Sequence, residues 1–460
     1  MFDPQLAEIR FGVGLSPRRA PPENLREMLA GLKGPDRMAR RYPWPGYSEI
    51  EPDFGTLRAL VRARGQANTP EAKDAAREAL FDVRRLAYHE AEKGLVNTLI
   101  RQIRSPESMK ERLALFWADH FTAIPRGASY PHLTLAYAEE AIRPNMMGRF
   151  TDLLPAAVLH PFMLRYLDQN SSIGPNSRFG QSRDGRGLNE NLAREILELH
   201  TLGVAGGYSQ RDVTQLAELL TGVTFDAAGQ FKFFPRRAEP GAEEILGRSY
   251  GGAEPARVAD IRAALRDIAR HPSTGRHLAW KLATHFVADT PDEALVEDMA
   301  AVYRATDTDL SATVEAMLRH PAAWVPERRK ARPPIGFIGA SLRALDVDPA
   351  TLDTLTPRQI RTQFRRTLSR MGQEWENAAG PDGFPEEAAA WITPQGMAMR
   401  INFALRMPER LVEELPDPRA FVETALGRTA PEEVRFAASA AEDRGIGVGL
   451  VLASAAFQWR

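Results

Sequence analysis

Apolar side chains recur at three- and four-residue spacing along most of this chain. Between residues 74 and 104, for example, Leu80, Val83 and Ala87 stand among charged residues at this spacing. Such spacing places apolar side chains on one face of an α-helix and predicts amphipathic helices. The same pattern predicts further helices at 108–121, 132–143, 150–159, 189–202, 209–221, 256–270, 274–286, 292–304, 309–319, 333–345, 357–371, 394–405 and 430–457.

Alternating runs of the strand type are scarce. One run, Gln230–Phe234, follows the turn-like residues 226–229 and predicts a small hairpin. Three segments rich in Gly, Pro, Ser or aromatic residues are predicted to be ordered loops or insertions, namely 41–54, 171–187 and 234–255. The predicted fold class is therefore mainly α, a multi-helix array or bundle with at most a small β-hairpin.

A chain of 460 residues is too long for one ordinary core. We predict an N-terminal helical region at 1–130, a central helical region at 131–330 and a C-terminal helical region at 331–460. A single continuous helical domain is the alternative, because no fixed-period repeat marks the boundaries.

Composition excludes several classes of function. The chain has 59 basic and 60 acidic residues, and this net charge of -1 provides no global field for nucleic acid. We therefore expect no nucleic acid partner. Since the chain has no cysteine, a thiolate zinc site, an iron–sulfur cluster and a cysteine nucleophile are excluded. A metal ion would need His, Asp, Glu, Asn or backbone oxygen as ligands.

The first residues do not read as an export signal. Asp3, Glu8 and Arg10 interrupt the region in which a signal peptide needs an apolar run. No window approaches the roughly 18 consecutive apolar residues that a membrane span requires. We expect a soluble cytoplasmic protein without a membrane span, and a periplasmic one if a leader has been removed.

The stretch from Asn189 to Gly222 reads as two capped helices. Asn189 is a suitable N-cap for the first helix, and Gly203 provides a left-handed stop at its end. Ser209 and Asp212 have the spacing of a capping box that opens the second helix. These features predict local structure and require no function.

With this stretch and several others, the chain resembles the bacterial family catalogued as domain of unknown function 1800. The further matching segments are Ile9–Gly12, Leu115–Phe121 (Leu-Phe-Trp-Ala-Asp-His-Phe), His160–Asn170 (His-Pro-Phe-Met-Leu-Arg-Tyr-Leu-Asp-Gln-Asn), His271–Thr274, Lys281–Phe286, Gly383–Pro385 and Trp391–Ile392. The resemblance implies a mainly helical fold. It also implies a partner, a phosphatase-like protein of the domain of unknown function 1501 family. Many members carry export signals, and this chain departs from them.

The first helix of the central stretch has one polar face. At about 100° per residue, Asn191, Arg194, Glu195 and Glu198 share that face, whereas His200 lies on the apolar side. Glu195 and Glu198 are close enough to bind one cation, or to raise one another's proton affinity if they are buried. The alternative is a solvated face with an Arg194–Glu198 bridge.

His120 lies on an apolar stripe with Leu113, Phe116 and Trp117. This position suits either a core histidine with satisfied hydrogen bonds or a ligand and general base. His200 has the same two interpretations. Both interpretations predict that Phe116 and Trp117 are buried.

The predicted loop at 171–187 contains Arg178, Arg183 and Arg186 and ends at a helix N-terminus. This combination suits an anionic ligand. An ordinary exposed and flexible lid has the same composition.

Two hypotheses of function remain. The first is an enzyme, a hydrolase or metal-assisted catalyst, with a polar pocket built from residues 119–120, 168–170 and 189–200. Its catalytic residues would be Glu195, Glu198 and His120, and its binding residues would be Asp168, Asn170, Asn189, Asn191, Arg194 and His200. A divalent cation is the expected cofactor if the carboxylates form a metal site, with its ligands unassigned. The second is a non-catalytic helical binding or assembly protein that acts with the phosphatase-like partner.

Overall fold

The computed structural model of the chain describes residues 2–50, 52–125, 132–182, 187–226, 228–252 and 257–460, with the backbone alone at 52–55, 57 and 58. About 63% of the chain is helical. The predicted mainly α fold is therefore confirmed.

The α-helices are mostly short, and the longest, Pro70–Arg104, has 35 residues. In the first third of the chain they are Pro4–Leu6, Leu25–Lys33, Arg37–Arg41, Pro52–Gln66, Pro70–Arg104 and Ser108–His120. In the middle they are Leu133–Tyr137, Phe150–Val158, Pro161–Tyr166, Asn191–Glu195, Gln210–Leu219, Val258–Ala269, Pro272–Phe286, Glu293–Ala305 and Leu310–Arg319. In the last third they are Pro334–Ala344, Pro349–Asp353, Pro357–Ile360, Arg366–Arg370, Ala388–Trp391, Pro394–Arg406, Pro408–Leu411, Pro418–Leu426, Glu432–Ser439, Arg444–Ala453 and Ala455–Gln458.

Wider and tighter helical turns extend or join these helices. The π-helical segments are Ala7–Phe11, Ala138–Ile142, Ile196–Thr201 and Arg361–Arg365. The 3-10 segments are Tyr47–Glu49, Gln169–Ser171, Gly180–Ser182, Pro235–Arg237, Pro321–Trp324 and Gly427–Thr429. The segment Ile196–Thr201 continues Asn191–Glu195 directly, so the first helix of the central stretch ends in a π turn.

Side-chain caps account for many helix starts. The predicted capping box is present, because Ser209 N–H donates to Asp212 Oδ2 at 2.8 Å and Asp212 N–H donates to Ser209 Oγ at 3.3 Å. The predicted stop is also present, with Gly203 at a φ of 83°. Each cap binds amide groups that a helix leaves unpaired at its end.

The segment at 430–457, whose spacing predicts a helix throughout, is interrupted twice. Asp443 Oδ1 accepts the Ile446 N–H at 2.8 Å, and Ser454 Oγ accepts the Phe457 N–H at 3.3 Å. Both residues therefore start new helices within a continuous apolar pattern.

Two antiparallel hairpins complete the structure. Strands β1 (Val223–Phe225) and β2 (Phe231–Phe233) form the predicted hairpin, with Thr224 opposite Lys232. Strands β3 (Ala242–Ile245) and β4 (Arg248–Gly251) form a second hairpin inside the segment predicted to be a loop. Its two-residue turn has positive φ at both Leu246 and Gly247, and leucine gives little sign of such a turn.

The apolar side chains form two cores. The first is built from helices between residues 7 and 324, and the second from residues 335–457 together with the end of the Pro70–Arg104 helix. Leu80 of that long helix packs in the first core, whereas Leu95, Leu99 and Ile103 pack in the second. Among the described helices, none has the length and apolar character needed to cross a membrane.

Candidate functional site

A cavity of about 160 Å³ lies where the two cores meet. Its large apolar wall residues are Leu115, Phe116, Ile124, Ile335, Trp375, Phe384 and Trp391. Its ionisable wall residues are Arg101, Glu111, Arg112, Asp119, Glu139, Arg143, His285, Arg332, Glu376, Glu386 and Arg460. A concave apolar cavity with convergent polar groups is the usual form of a ligand site.

Asp119 stands near the end of the Ser108–His120 helix and faces a loop from the C-terminal third. Both of its carboxylate oxygens accept the Phe384 N–H, at 3.1 and 3.2 Å. Gly383 has a φ of 83°, and a Cβ atom there would lie 2.7 Å from Asp119 Oδ2. Burial, reinforced by the negative charge of Glu386, raises the pKa of Asp119 to about 7. This carboxyl group therefore holds a proton for part of the time near neutral pH.

His285 and Glu386 form a pair on the same wall. The ring Nδ1 lies 2.6 Å from Glu386 Oε1, so this nitrogen donates its proton to the carboxylate. Burial lowers the pKa of His285 to about 4. Burial opposes ionisation of Glu386, but the hydrogen bond and attraction of His285 together with the charges of Lys330 and Arg460 outweigh it and lower the pKa of the carboxyl group to about 2. At neutral pH the pair is therefore a neutral imidazole oriented by a carboxylate.

Among the residues that the structure describes, no protein group forms a hydrogen bond with the second ring nitrogen of this histidine, Nε2. Lys281, one helical turn earlier, is half-buried, and its charge counteracts the rise in the pKa of Asp119. The Pro272–Phe286 helix thus brings a free imidazole lone pair and a cation to the Asp119 region.

Glu376 is a third unusual carboxyl group of the cavity wall. Its backbone has a φ of 53°, in the left-handed region that a glutamate rarely adopts. Burial raises its pKa to about 8. Strained backbone at such positions occurs most often at ligand and active sites.

The remaining wall carboxylates have cationic partners. Glu139 binds Arg101 at 2.6 Å, and Glu111 binds Arg143 at 2.7 Å. These pairs join helices across the cavity and leave neither carboxylate free.

Glu195 and Glu198 lie outside this cavity wall, and the cation site predicted for them stays a prediction. Both are half-buried. Burial and the charge of Glu198 raise the pKa of Glu195 to about 7. Tyr208 donates its hydroxyl proton to Glu198 Oε2 at 3.2 Å. The charge of Asp382 acts on both Glu195 and Asp119, which links the two regions electrostatically.

The Arg194–Glu198 bridge of the solvated-face alternative is not formed. Arg194 Nη2 binds Glu190 Oε2 at 3.1 Å and Gln210 Oε1 at 3.0 Å instead. The cause is the second helix, which brings Gln210 beside Glu190 at 2.9 Å. Arg194 therefore links the two helices of the central stretch.

Asn189 joins two predicted segments. Its Nδ2 donates to the carbonyls of Leu167 and Asp168 at 3.1 Å each, and its Oδ1 accepts the Asn191 N–H at 2.9 Å. Its Oδ1 thus binds the amide of the first helical residue, but the N-cap is Glu190, which makes no side-chain cap bond, so the cap predicted at Asn189 is wrong by one residue. These contacts account for Asn189 by local structure, and its predicted role in binding a ligand is untested.

The other predicted binding residues of this region are dispersed. Asp168 has a φ of 56° and is half-buried, Asn170 accepts from Arg237 through its carbonyl at 3.3 Å, and Asn191 is exposed. None of these three lines the cavity. Their binding role stays a prediction.

His120 and His200 are both buried, as are Phe116 and Trp117. His120 Nε2 lies 3.1 Å from the His200 carbonyl, and His200 Nδ1 lies 3.0 Å from the His120 carbonyl. Burial lowers the pKa of both rings, that of His200 to about 3. Each ring has a second buried nitrogen, His120 Nδ1 and His200 Nε2, without a partner among the described residues, so the hydrogen bonds expected of a core histidine are only half satisfied. The catalytic role of His120 stays a prediction.

Arg178 is exposed, as expected for the loop at 171–187. The other two arginines of that loop, Arg183 and Arg186, lie outside the described residues. Among the residues that are described, no group of three or more His, Asp or Glu side chains is arranged to hold a metal ion.

The sequence predicted Asp119 as part of a polar pocket, but it did not single out His285, Glu376 or Glu386. His285 lies in the segment Lys281–Phe286 and Glu386 follows Gly383–Pro385, so both stand in or beside motifs that carry the family resemblance. The polar residues in and beside those motifs could have marked His285 and Glu386 as candidates.

Comparison with known proteins identifies the family of this chain and no individual relative. No curated protein and no solved structure matches this chain. The model of the family described as "Protein of unknown function (DUF1800)" matches residues 25–459, which is nearly the whole chain and includes every wall residue of the cavity named above except Arg460. The chain therefore belongs to the DUF1800 family.

Proposed function

We propose that this protein is a hydrolase whose active site is the cavity between the two cores. The observation that carries the proposal is the convergence of Asp119 and the His285–Glu386 pair on the wall of one cavity. A neutral histidine oriented by a carboxylate is a suitable general base, and a carboxyl group that keeps its proton near pH 7 is a suitable general acid.

The reaction follows from these roles. His285 Nε2 takes a proton from a water molecule, and the water oxygen bonds to the electrophilic carbon or phosphorus atom of the substrate. The bond from that atom to the leaving oxygen breaks, and Asp119 donates its proton to this oxygen. The imidazolium then returns a proton to Asp119 through solvent. This last transfer is favourable because the pKa is about 4 at His285 and about 7 at Asp119.

The test is turnover of chromogenic aryl esters and aryl phosphates of a size that the cavity admits. We expect Asp119→Asn and His285→Gln each to lower kcat by about 10²- to 10⁴-fold. Asp382→Asn is the matched control, since Asp382 is exposed and acts on Asp119 through its charge. It should keep kcat and move the alkaline limb of the pH profile to lower pH. Turnover that persists in folded Asp119→Asn and His285→Gln proteins would refute the proposal.

We propose assembly with a separately encoded phosphatase-like protein as the second candidate function. It is supported by two consecutive helices, Pro52–Gln66 and Pro70–Arg104, that expose Val61, Phe81 and Leu86 to 53%, 65% and 59%. Exposed apolar groups of this size often mark a protein contact. Phe81→Glu should prevent co-purification with a partner of the domain of unknown function 1501 family without affecting the melting temperature. Unchanged co-purification would show that these exposed side chains do not contact the partner.

A further inference from the structure

We propose that the cavity binds a small aromatic carboxylate or phosphate ester and holds its anionic group with Arg112, Arg332 and Arg460. This inference rests on the proposed function, since it names the anion that the same cavity takes as substrate, if it is a phosphate ester, or releases as product, if it is the carboxylate of an ester. It is carried by three observations: the pairing of the wall charges, the buried donors that lack acceptors, and the size of the cavity.

The three arginines are buried and bind main-chain carbonyls. Arg112 donates to Arg10 and, at 3.5 Å, to His285. Arg332 Nε donates to a carbonyl at 3.1 Å, and Arg460 Nη2 donates to the His285 carbonyl at 3.3 Å. Within the described residues, none of the three forms an ion pair with a carboxylate. The charges of Arg332 and Arg460 lower the pKa of Arg112, and the charge of Arg460 lowers the pKa of Arg332. The three guanidinium groups therefore form one cationic cluster.

Carboxylates of the wall compensate this cluster only in part. Glu111 and Glu139 are bound to arginines of their own, and Asp119 is bound to a main-chain N–H. The ionised Glu386 favours the charge of Arg112 and of Arg460, but Lys330 shares this carboxylate at 3.8 Å. Since one carboxylate cannot balance three guanidinium groups, a costly surplus of buried positive charge is left, and an anionic ligand would supply a partner for it.

Three wall residues also carry buried N–H groups without an acceptor. They are Arg460 at Nε, Trp375 at Nε1 and Gln102 at Nε2, each without a hydrogen-bond partner among the described residues. Such a group has lost its hydrogen bonds to water and is costly when it is left unpaired. Carboxylate and phosphate oxygens accept several hydrogen bonds each, so they match this surplus of donors.

The size and the apolar wall indicate the rest of the ligand. A cavity of about 150 Å³ accommodates a benzene-sized molecule, and this one has about 160 Å³. Trp375, Trp391 and Phe384 provide aromatic surface beside the arginines. Benzoate and phenyl phosphate therefore have the expected size, charge and shape.

The experiment is calorimetric titration of the whole chain with benzoate, phenyl phosphate and the neutral analogue benzamide. We expect at least one anion to bind about tenfold more tightly than benzamide, and the stronger anion identifies the headgroup. Arg460→Gln should remove most of this preference. Arg328→Gln is the matched control, because Arg328 likewise donates to a main-chain carbonyl, that of Ala456 at 2.6 Å, and does not line the cavity.

Equal binding of the anions and benzamide, or no binding of either anion, would overturn the inference. So would an anion preference that survives Arg460→Gln. If Arg460→Gln does not fold, crystals of the unaltered protein with 4-bromobenzoate decide: the bromine must lie in the cavity with the carboxylate at the arginines, and any other position refutes the site. Failure of the hydrolase proposal is separable, since Asp119→Asn would then keep turnover while anion binding persists.

Discussion

His120 and His200 each bind the backbone carbonyl of the other. The two residues are 80 positions apart in the chain, and the contacts join the end of the Ser108–His120 helix to the π turn Ile196–Thr201. Both rings must be neutral donors, because burial lowers the pKa of each and a carbonyl only accepts. The π turn brings the His200 ring and carbonyl into this reciprocal contact.

His200→Ala is therefore expected to lower the free energy of unfolding by about 2–4 kcal/mol, through the cavity and the unpaired His120 carbonyl that it leaves. Urea denaturation measures this loss. Because neither histidine lines the cavity, turnover per folded molecule should be unchanged. His120→Ala is the matched variant, and the double variant should lose less than the two single losses added together, since the two rings also pack against each other with their centroids 5.7 Å apart.

The opposite pattern would support the catalytic role predicted for His120 from the sequence. In that case His120→Ala would unfold at the same urea concentration as the unaltered protein and would lose turnover.

Gly383→Ala is expected to damage the site by two separate effects. The left-handed φ of 83° disfavours any other residue, and the new Cβ would contact Asp119 Oδ2 at 2.7 Å. We expect a loss of stability of about 1–3 kcal/mol and a lower kcat, because the loop that binds Asp119 must move. Gly247→Ala is the control, since Gly247 has a φ of 74° with nothing near its Cβ position. A Gly247→Ala protein that loses as much turnover as Gly383→Ala would contradict the role of the close contact.

The helices were predictable because their signals are local. Apolar spacing and caps such as Ser209 with Asp212 act within four residues, so they can be recognised in the sequence. The β3–β4 hairpin was missed because its turn has leucine at a left-handed position, which tertiary contacts must enforce. Arg194 was assigned a partner on its own helix for the same reason: its actual second contact, Gln210, belongs to the next helix.

The sequence could indicate which types of residue belong to the candidate site, but not which of them meet in the folded chain. His285 meets Glu386 across 101 positions, and Asp119 meets Phe384 across 265. No spacing rule reaches so far along a chain. The helical wheel correctly separated Glu195 from His200, but it could not show that Asp119, on another helix, would share a cavity with residues from the C-terminal third.

Glu198→Gln tests the predicted carboxylate pair. The amide keeps an acceptor for Tyr208 and removes the charge that raises the pKa of Glu195, so that pKa should fall. Titration of the Glu195 carboxyl carbon by NMR measures the change, and Tyr208→Phe is the control that removes the hydrogen bond alone. If the pair is a cation site, Glu198→Gln should also abolish binding of a titrated divalent cation with little change in melting temperature. A normal melt, unchanged titration of Glu195 and unchanged cation binding would leave a plain solvent-facing glutamate.

The contribution of Asp119 and Glu376 to stability should fall as pH rises from about 4 to about 8, because both cavity carboxyl groups have raised pKa values in the folded protein. The pKa of Asp119 is about 7 and that of Glu376 about 8, whereas the unfolded chain has the ordinary values of 3.8 and 4.5. Above those ordinary values the unfolded state releases protons that the folded state retains. The stabilising contribution is thus complete below pH 4 and lost as pH passes through 7 and 8.

Glu376→Gln isolates this effect from catalysis. The variant cannot ionise, so at pH 8 it should unfold about 1–3 kcal/mol less readily than the unaltered protein, and at pH 5 the two should agree closely. The measurement is urea unfolding at both pH values, with the exposed Glu442→Gln as the control for removal of a surface charge. If Glu376→Gln gave the same difference at pH 5 and pH 8, the carboxyl group would be ionised throughout. A cation would then have to compensate the buried charge of Glu376. Arg365, whose charge already favours the ionised form, is the residue to test, by Arg365→Gln.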